Sequence, residues 1–241
     1  MERQFEHQLE KLRTRVIKMC SLVDEQVEFA LRAIEEENVE LANLVIERDN
    51  KVDKFDLKID KICQKIIALN QPVAMDLRLI MSSLTINNNL ERVGDIAVNI
   101  SENFLILKKK PAFISQSRFY DMAKVVKMMI RNAIDSFIEN DAKLAQKVIG
   151  TDTILDNYNI ENHKLLIDIM KKSPDNIEAA VALLVICRQM ERLGDHATNI
   201  AEDVFFIVEA QMIKHKYEKY LFSEDNDEDD DEDVIAKKPN E

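Results

Sequence analysis

Apolar side chains recur three and four residues apart from Phe5 onward, at Leu9, Leu12, Val16, Met19, Val23, Val27, Ala30 and Ile34. That spacing lays them along one stripe of an α-helix and predicts a helix of about nine turns. Asn38 has the side chain to cap a second helix, whose stripe runs through Val45, Val52, Phe55, Ile59, Ile62, Ile66 and Leu69 and stops at Gln71-Pro72. Pro72 suits the first turn of a third helix, because its missing amide hydrogen costs nothing there. This helix is expected to reach Leu107, where Lys108, Lys109 and Lys110 oppose the negative end of the dipole and Pro111 ends it. A fourth helix from about Ser117 to Glu139, a fifth from about Ala142 to Met170, and a sixth capped by Ser173 and opened by Pro174 repeat the plan. Long helices with short connections fold back antiparallel. The expected fold is therefore all-α: two tandem three-helix bundles, six long helices in all, with bundles at 1–110 and 111–222.

Composition agrees with the pattern. Only 3 Gly and 4 Pro in 241 residues leave few turns, and 46% hydrophobic residues supply a core. Charge changes the picture at one end. Residues 223–241 hold 10 acids against Lys237 and Lys238, a balance of −8 out of the total of −12, so the body carries only −4. Nine of those acids fall in 224–233, a run expected to repel itself, stay disordered and act as a solvated appendage. The body has no surplus of cations to neutralise a phosphate backbone, which argues against nucleic acid as a partner. Cys20, Cys63 and Cys187 are odd in number and show no CxxC spacing, which fits a reducing compartment. No stretch approaches the roughly 18 apolar residues of a spanning helix, and the charged, amphipathic N-terminus lacks the apolar region of a signal peptide. A cytoplasmic location is expected.

The halves are related in sequence. Glu91-Arg-Val-Gly-Asp-Ile-Ala-Val-Asn-Ile100 matches Glu191-Arg-Leu-Gly-Asp-His-Ala-Thr-Asn-Ile200 at seven of ten positions, 100 residues apart. The pairs Asp49/Asp53 and Asp152/Asp156 are offset by 103 and keep the same order, so internal duplication is the economical explanation.

Within the repeat, Glu91, Asp95 and Asn99 are spaced by four, as are Glu191, Asp195 and Asn199, placing three oxygen-bearing side chains on one helical face. Chance alone supplies about eight acidic pairs at that spacing, so a single pair is only a solvated face. The weight comes from recurrence in register, with a Gly inside each helix, Gly94 and Gly194, at a cost of about 1 kcal/mol relative to Ala. Asp49, Asp53, Asp152 and Asp156 on the preceding helices would complete two clusters around a cation. All-oxygen donors suit Mg²⁺, Mn²⁺, Ca²⁺ or iron better than a structural Zn²⁺ site. Glu-x-x-His pairs of a ferritin-like di-iron site are absent. His163 and His196 each occur in one half only, and each is more readily a polar surface residue than a ligand.

The stretch Leu69-Asn-Gln-Pro-Val-Ala-Met-Asp-Leu-Arg78, followed by the two Glu-Arg-x-Gly-Asp decapeptides, closely resembles the PhoU family of phosphate-transport accessory proteins over residues 1 to about 215. The resemblance implies tandem three-helix bundles and multinuclear metal sites (Fe, Mn, Mg or Zn) at the acid pairs. It also implies negative regulation of phosphate uptake and of phosphate-starvation signalling. Family members act beside the phosphate ABC transporter and a membrane sensor histidine kinase. The implied partners are thus the transporter ATPase and that kinase, with a homodimer as the assembly and a peripheral position at the inner membrane through them. Two departures stand out: Lys171-Lys-Ser-Pro-Asp-Asn-Ile-Glu replaces the better-matching first-half stretch, and the acidic tail lies outside the family pattern.

Two other functions compete with a non-enzymatic regulator. Clustered carboxylates with a bridging water could serve a metal-dependent phosphatase or oxidase, although the sequence has no Ser-His-Asp arrangement, phosphate-cradling Gly loop or Walker motif. A purely structural scaffold would explain the apolar stripes and leave the repeated Glu-Arg-x-Gly-Asp without a purpose.

Overall fold

The structure, a computed structural model, describes residues 2–213. The acidic tail assigned to 223–241 lies outside the described residues. Helices α1 (Glu2–Glu35), α2 (Val39–Asn70) and α3 (Ala74–Leu107) form the first bundle. Helices α4 (Phe119–Glu139), α5 (Ala142–Ile149), α6 (Asp152–Lys172) and α7 (Ile177–Glu209) form the second. The described residues contain no strand.

The ends follow local chemistry. Asn38 accepts from the Leu41 amide at 3.0 Å and starts α2 as expected. Gln71 then closes α2 in the left-handed region, its amide donating to the Ile67 carbonyl, before Pro72 forbids continuation. Three expectations change. Pro72 is not in the first turn of α3 but one residue ahead of its N-cap, Val73. Ser173 makes no side-chain cap, and Pro174–Asn176 forms a 3-10 turn that leads into α7. Lys110 reaches back to α1: its Nζ donates to the Glu35 carbonyl at 2.8 Å and its amide to Glu37 Oε1 at 2.8 Å. It therefore serves the C-terminal carbonyls of α1 and not those of α3, whose last turn carries no cation.

The fifth predicted helix is continuous in path and broken in hydrogen bonding. After Gly150 the chain tightens into three-residue bonds, with Thr151 N donating to the Val148 carbonyl at 2.9 Å and Ile154 N to the Thr151 carbonyl at 3.0 Å. The Thr151 hydroxyl takes the Lys147 carbonyl at 2.8 Å. Glycine's poor helix propensity and this competing side-chain bond explain why α5 stops and α6 begins anew. Asp152 thereby becomes the first residue of α6, where an acid is favoured.

The predicted stripes form the core, except that Leu69 at the end of the α2 stripe is exposed. Leu12, Val16, Met19 and Val23 of α1 are fully buried, as are Val52 and Ile59 of α2 and Leu90 and Val93 of α3. One apolar cluster runs through both bundles. The most extensive helix–helix packing in the molecule is between α3 and α7, which carry the two decapeptides, with α1 lying against α4 beside them. Salt bridges edge this seam: Arg131 to Asp24 at 3.5 Å, and Lys127 to Glu35 at 3.5 Å and Glu28 at 3.9 Å. Arg13 donates to the Ile138 carbonyl at 2.7 Å across it.

Candidate functional site

Each decapeptide helix packs against the helix before it through its glycine. A Cβ at Gly94 would lie 3.3 Å from Val52 Cγ1 and 3.4 Å from Asp49 Oδ1. A Cβ at Gly194 would lie 2.5 Å from Leu155 Cδ1 and 3.3 Å from Asp152 Oδ1. The two contacts are equivalent residue for residue under the offsets read from the sequence. Each glycine therefore lets the first Asp of one helix approach the backbone of the next, and this brings the acid stripes face to face.

Crowding of like charges is visible in the proton affinities. Burial, reinforced by Asp53 and Asp95, pushes Asp49 up to about 6, against an opposing bond from Gln26. Burial, reinforced by Asp195 and Asp156, pushes Asp152 up to about 6, against a smaller opposing influence of the nearby Thr198 hydroxyl. Burial raises Glu91, Glu191 and Asp195 first; the next cause is the Asp one turn on along the same helix for Glu91 (Asp95) and Glu191 (Asp195), and the facing Asp156 for Asp195. These groups cost free energy when ionised together. Arginines offset part of it: Arg92 lies 3.4 Å from Glu91 and 3.1 Å from Asp95, and Arg188 lies 2.6 Å from Glu191.

The structure thus brings Asp49, Asp53, Glu91 and Asp95 to one face, and Asp152, Asp156, Glu191 and Asp195 to its counterpart. The asparagines fare differently. Asn199 turns to the other half, with its amide 3.4 Å from Asn89 Oδ1, beside His196 whose Nδ1 is 2.9 Å from the same oxygen. Asn99 accepts from Asn103 through its backbone carbonyl. His196 belongs to the seam between bundles and its pKa is lowered, by burial first and then by Arg192 and Arg92. His163 is exposed on α6.

Sequence reasoning missed Asn87 and Gln26. Asn87, fully buried, donates to Asp56 Oδ1 at 2.7 Å and to Asp60 Oδ1 at 3.1 Å. Its position four residues before Glu91 on the same stripe was the available signal. At its counterpart stands Cys187, which meets Asn162 Nδ2 at 3.3 Å, so the polar stripe extends further in the first half than in the second. Burial foremost pushes the thiols of Cys20, Cys63 and Cys187 up to about 12, which removes them as nucleophiles.

The donors fit a hard cation in kind. Glu191 Oε2 is buried and accepts no hydrogen bond, while Glu91 Oε2, equally buried and without a hydrogen bond, has only the Arg92 guanidinium 3.4 Å away; each sits among carboxylates whose charge a cation would neutralise. Spacing is the qualification: among the described residues no three His, Cys, Asp or Glu side chains close on one point as a metal shell would.

Comparison with known proteins gives the relationship. The PhoU domain model matches twice, at residues 16–104 and 119–204. A phosphate-specific transport system accessory protein PhoU homolog of Aquifex aeolicus is 37% identical over 212 residues, covering 88% of this chain and 96% of that protein. The Serratia marcescens accessory protein PhoU is 32% identical over 229 residues, covering 92% and 93% of the two chains. The crystal structure of PhoU from Pseudomonas aeruginosa superposes with a TM-score of 0.83 at 32% identity, covering 86% of this chain and all of that one. With both bundles matched, the glycines and acids duplicated in register and the same fold in a solved relative, the chain belongs to the PhoU family.

Proposed function

We propose that this chain is a negative regulator of phosphate uptake and phosphate-starvation signalling, acting by binding the phosphate ABC transporter ATPase and its sensor histidine kinase. The observation that carries the reading is similarity across 88% of the chain to proteins named phosphate-specific transport accessory proteins. Those relatives are named for an accessory role, which supports a protein that acts by binding and not by catalysis. No helix among the described residues is long and apolar enough to cross a membrane. Docking from the cytoplasm onto membrane partners, as a homodimer, is the arrangement proposed.

Divalent or iron cations are part of the proposal. Glu91 and Asp95 with Asp49 and Asp53 would hold one group, and Glu191 and Asp195 with Asp152 and Asp156 the other. A bound cation would supply positive charge that draws the facing stripes together. Docking would then depend on two stapled helix pairs.

The test is genetic and biochemical together. Deleting the gene is expected to leave phosphate-starvation genes on in phosphate-rich medium, and only while the transporter and kinase are present. Affinity purification from the native host in high phosphate is expected to recover both partners. An unchanged reporter, combined with metal-dependent turnover of a phosphate ester by the pure protein, would establish the phosphatase instead.

A further inference from the structure

Helix α2 has a second charged face, turned away from the acids. Lys51, Lys54, Lys58, Lys61 and Lys65 follow one another at spacings of three and four, so they form a single stripe. All five are exposed. Across a groove that includes Phe55, α1 presents Lys11, Arg15 and Lys18 at the same spacings. Lys58 Nζ stands 6.0 Å over the Phe55 ring. The acids on this face are Glu10, which takes His7 at 4.0 Å, and Glu47, one turn before Lys51. None of the eight cations makes an ion pair with a described residue, in a protein whose net charge is −12. At the second-half counterparts of Lys51, Lys54, Lys58 and Lys65 stand Ile154, Asn157, Glu161 and Asp168, and only Lys61 has a cationic counterpart, Lys164, so duplication does not explain the stripe.

The negative charge that would match it is elsewhere in the same chain. Residues 224–233 carry nine acids. The last described residue, Ile213, is buried beside Met81, Ser82 and Thr85 of α3. Two residues on, Asn87 contacts Asp56 and Asp60 of α2, so the described chain ends at the height of Lys58 and Lys61. Passing around α3 and α2 spans about 20 Å at ordinary helix spacings. Residues 214–223 reach about 33 Å when extended. The lysine stripe, fourteen residues long between its ends, measures about 21 Å, which an extended acidic run of ten residues covers fully.

We propose that the basic groove between α1 and α2 is the docking site of the acidic segment 224–233 of the same chain. Its charge would hold the segment as a loose polyanion and keep other acidic surfaces off this face. The segment is then a competitor for the groove and more than a solvated appendage.

Zero-length carbodiimide coupling of the full chain, which joins carboxylates to lysine amines, tests this by peptide mapping of the monomer. Links from 224–233 are expected to concentrate on Lys11, Lys18, Lys51 and Lys65 and to be independent of protein concentration. In the exposed-site variant K54Q/K58Q/K61Q those links are expected to drop about fivefold, the product of three weak surface pairs. High salt, which cuts the screening length to about 4 Å at half-molar, is expected to erase them in the unaltered chain. Links spread equally over Lys143, Lys147 and Lys171, or found only in coupled dimers, would overturn the proposal. So would an absence of tail links together with phosphatidylserine-vesicle binding that K54Q/K58Q/K61Q abolishes and the tail acids do not weaken, since the groove would then serve a lipid surface.

Discussion

Replacing each helical glycine by alanine separates packing from propensity at two equivalent positions. Alanine is favoured over glycine in a helix interior by about 1 kcal/mol, and both sites should gain that. They differ in room. At Gly94 the new methyl meets Val52 Cγ1 at 3.3 Å and Asp49 Oδ1 and Gln26 Oε1 at 3.4 Å, distances that a few tenths of an ångström of movement relieves. At Gly194 it meets Leu155 Cδ1 at 2.5 Å, and Leu155 is fully buried, so its side chain has no solvent to turn into. Overpacking of this kind costs about 1–3 kcal/mol, which exceeds the propensity gain. Gly194→Ala is therefore expected to lose about 1 kcal/mol, and Gly94→Ala to stay within about 0.5 kcal/mol of the parent. In thermal denaturation followed by circular dichroism, this is a drop of about 2–4 °C for Gly194→Ala. Adding Leu155→Ala to Gly194→Ala should show a favourable coupling of about 1 kcal/mol, because the methyl enters the space vacated. If Gly194→Ala melts at or above the parent, or if Gly94→Ala is the more damaged of the two, the close approach of α7 to α6 is not what the glycine serves.

Chelated protein is expected to lose stability as pH rises. Asp49 and Asp152 titrate at about 6 in the fold against an ordinary 3.8, so their contribution is complete below 3.8 and is lost as pH rises through about 6. Both are half-exposed, which limits each to about 1 kcal/mol, and melting curves in chelator from pH 4 to 8 check the sign. Adding Mn²⁺ or Fe²⁺ at about a hundred times Kd should return about 2.7 kcal/mol. E91A/D95A and E191A/D195A should each abolish one of two binding events in calorimetry, and no heat and no stabilisation in the parent would end the cation proposal. Asn87→Ala strips the buried amide from Asp56 and Asp60 and is expected to cost about 1–3 kcal/mol in urea denaturation, whereas Asn87→Asp should cost more.

The helices were legible because their stripes are regular and their ends carry Asn38, Pro72 and Pro111. The break at Gly150 was not, since it depends on the Thr151 hydroxyl taking a backbone carbonyl, a bond that periodicity does not encode. Acid pairing was legible from the repeat: Asp49 and Asp152 do meet their decapeptide helices. Asn199 was misplaced because spacing by four drifts around a helix, and two such steps carry a residue toward the neighbouring bundle. Lys110 shows the same limit, since nothing local reveals that its nearest free carbonyls belong to α1. The partner of Asp56 was not legible because an amide on the carboxylate stripe carries no charge to distinguish it from a solvated polar residue.

The seam between α3 and α7 joins two copies of one ancestral helix inside a single chain. In an assembly of two identical subunits, any substitution there would be felt twice, once from each side. Fusion removes that constraint. Asn89 meets His196, while their formal counterparts are Gln189, which accepts from Arg192, and Ile96, buried in the core. One side of the contact pairs an amide with an ionisable imidazole, while the other pairs an amide with a buried aliphatic side chain. Each half of the seam can therefore change without dragging its twin along, so that one polypeptide carries two different contacts where a symmetrical pair would carry the same one twice.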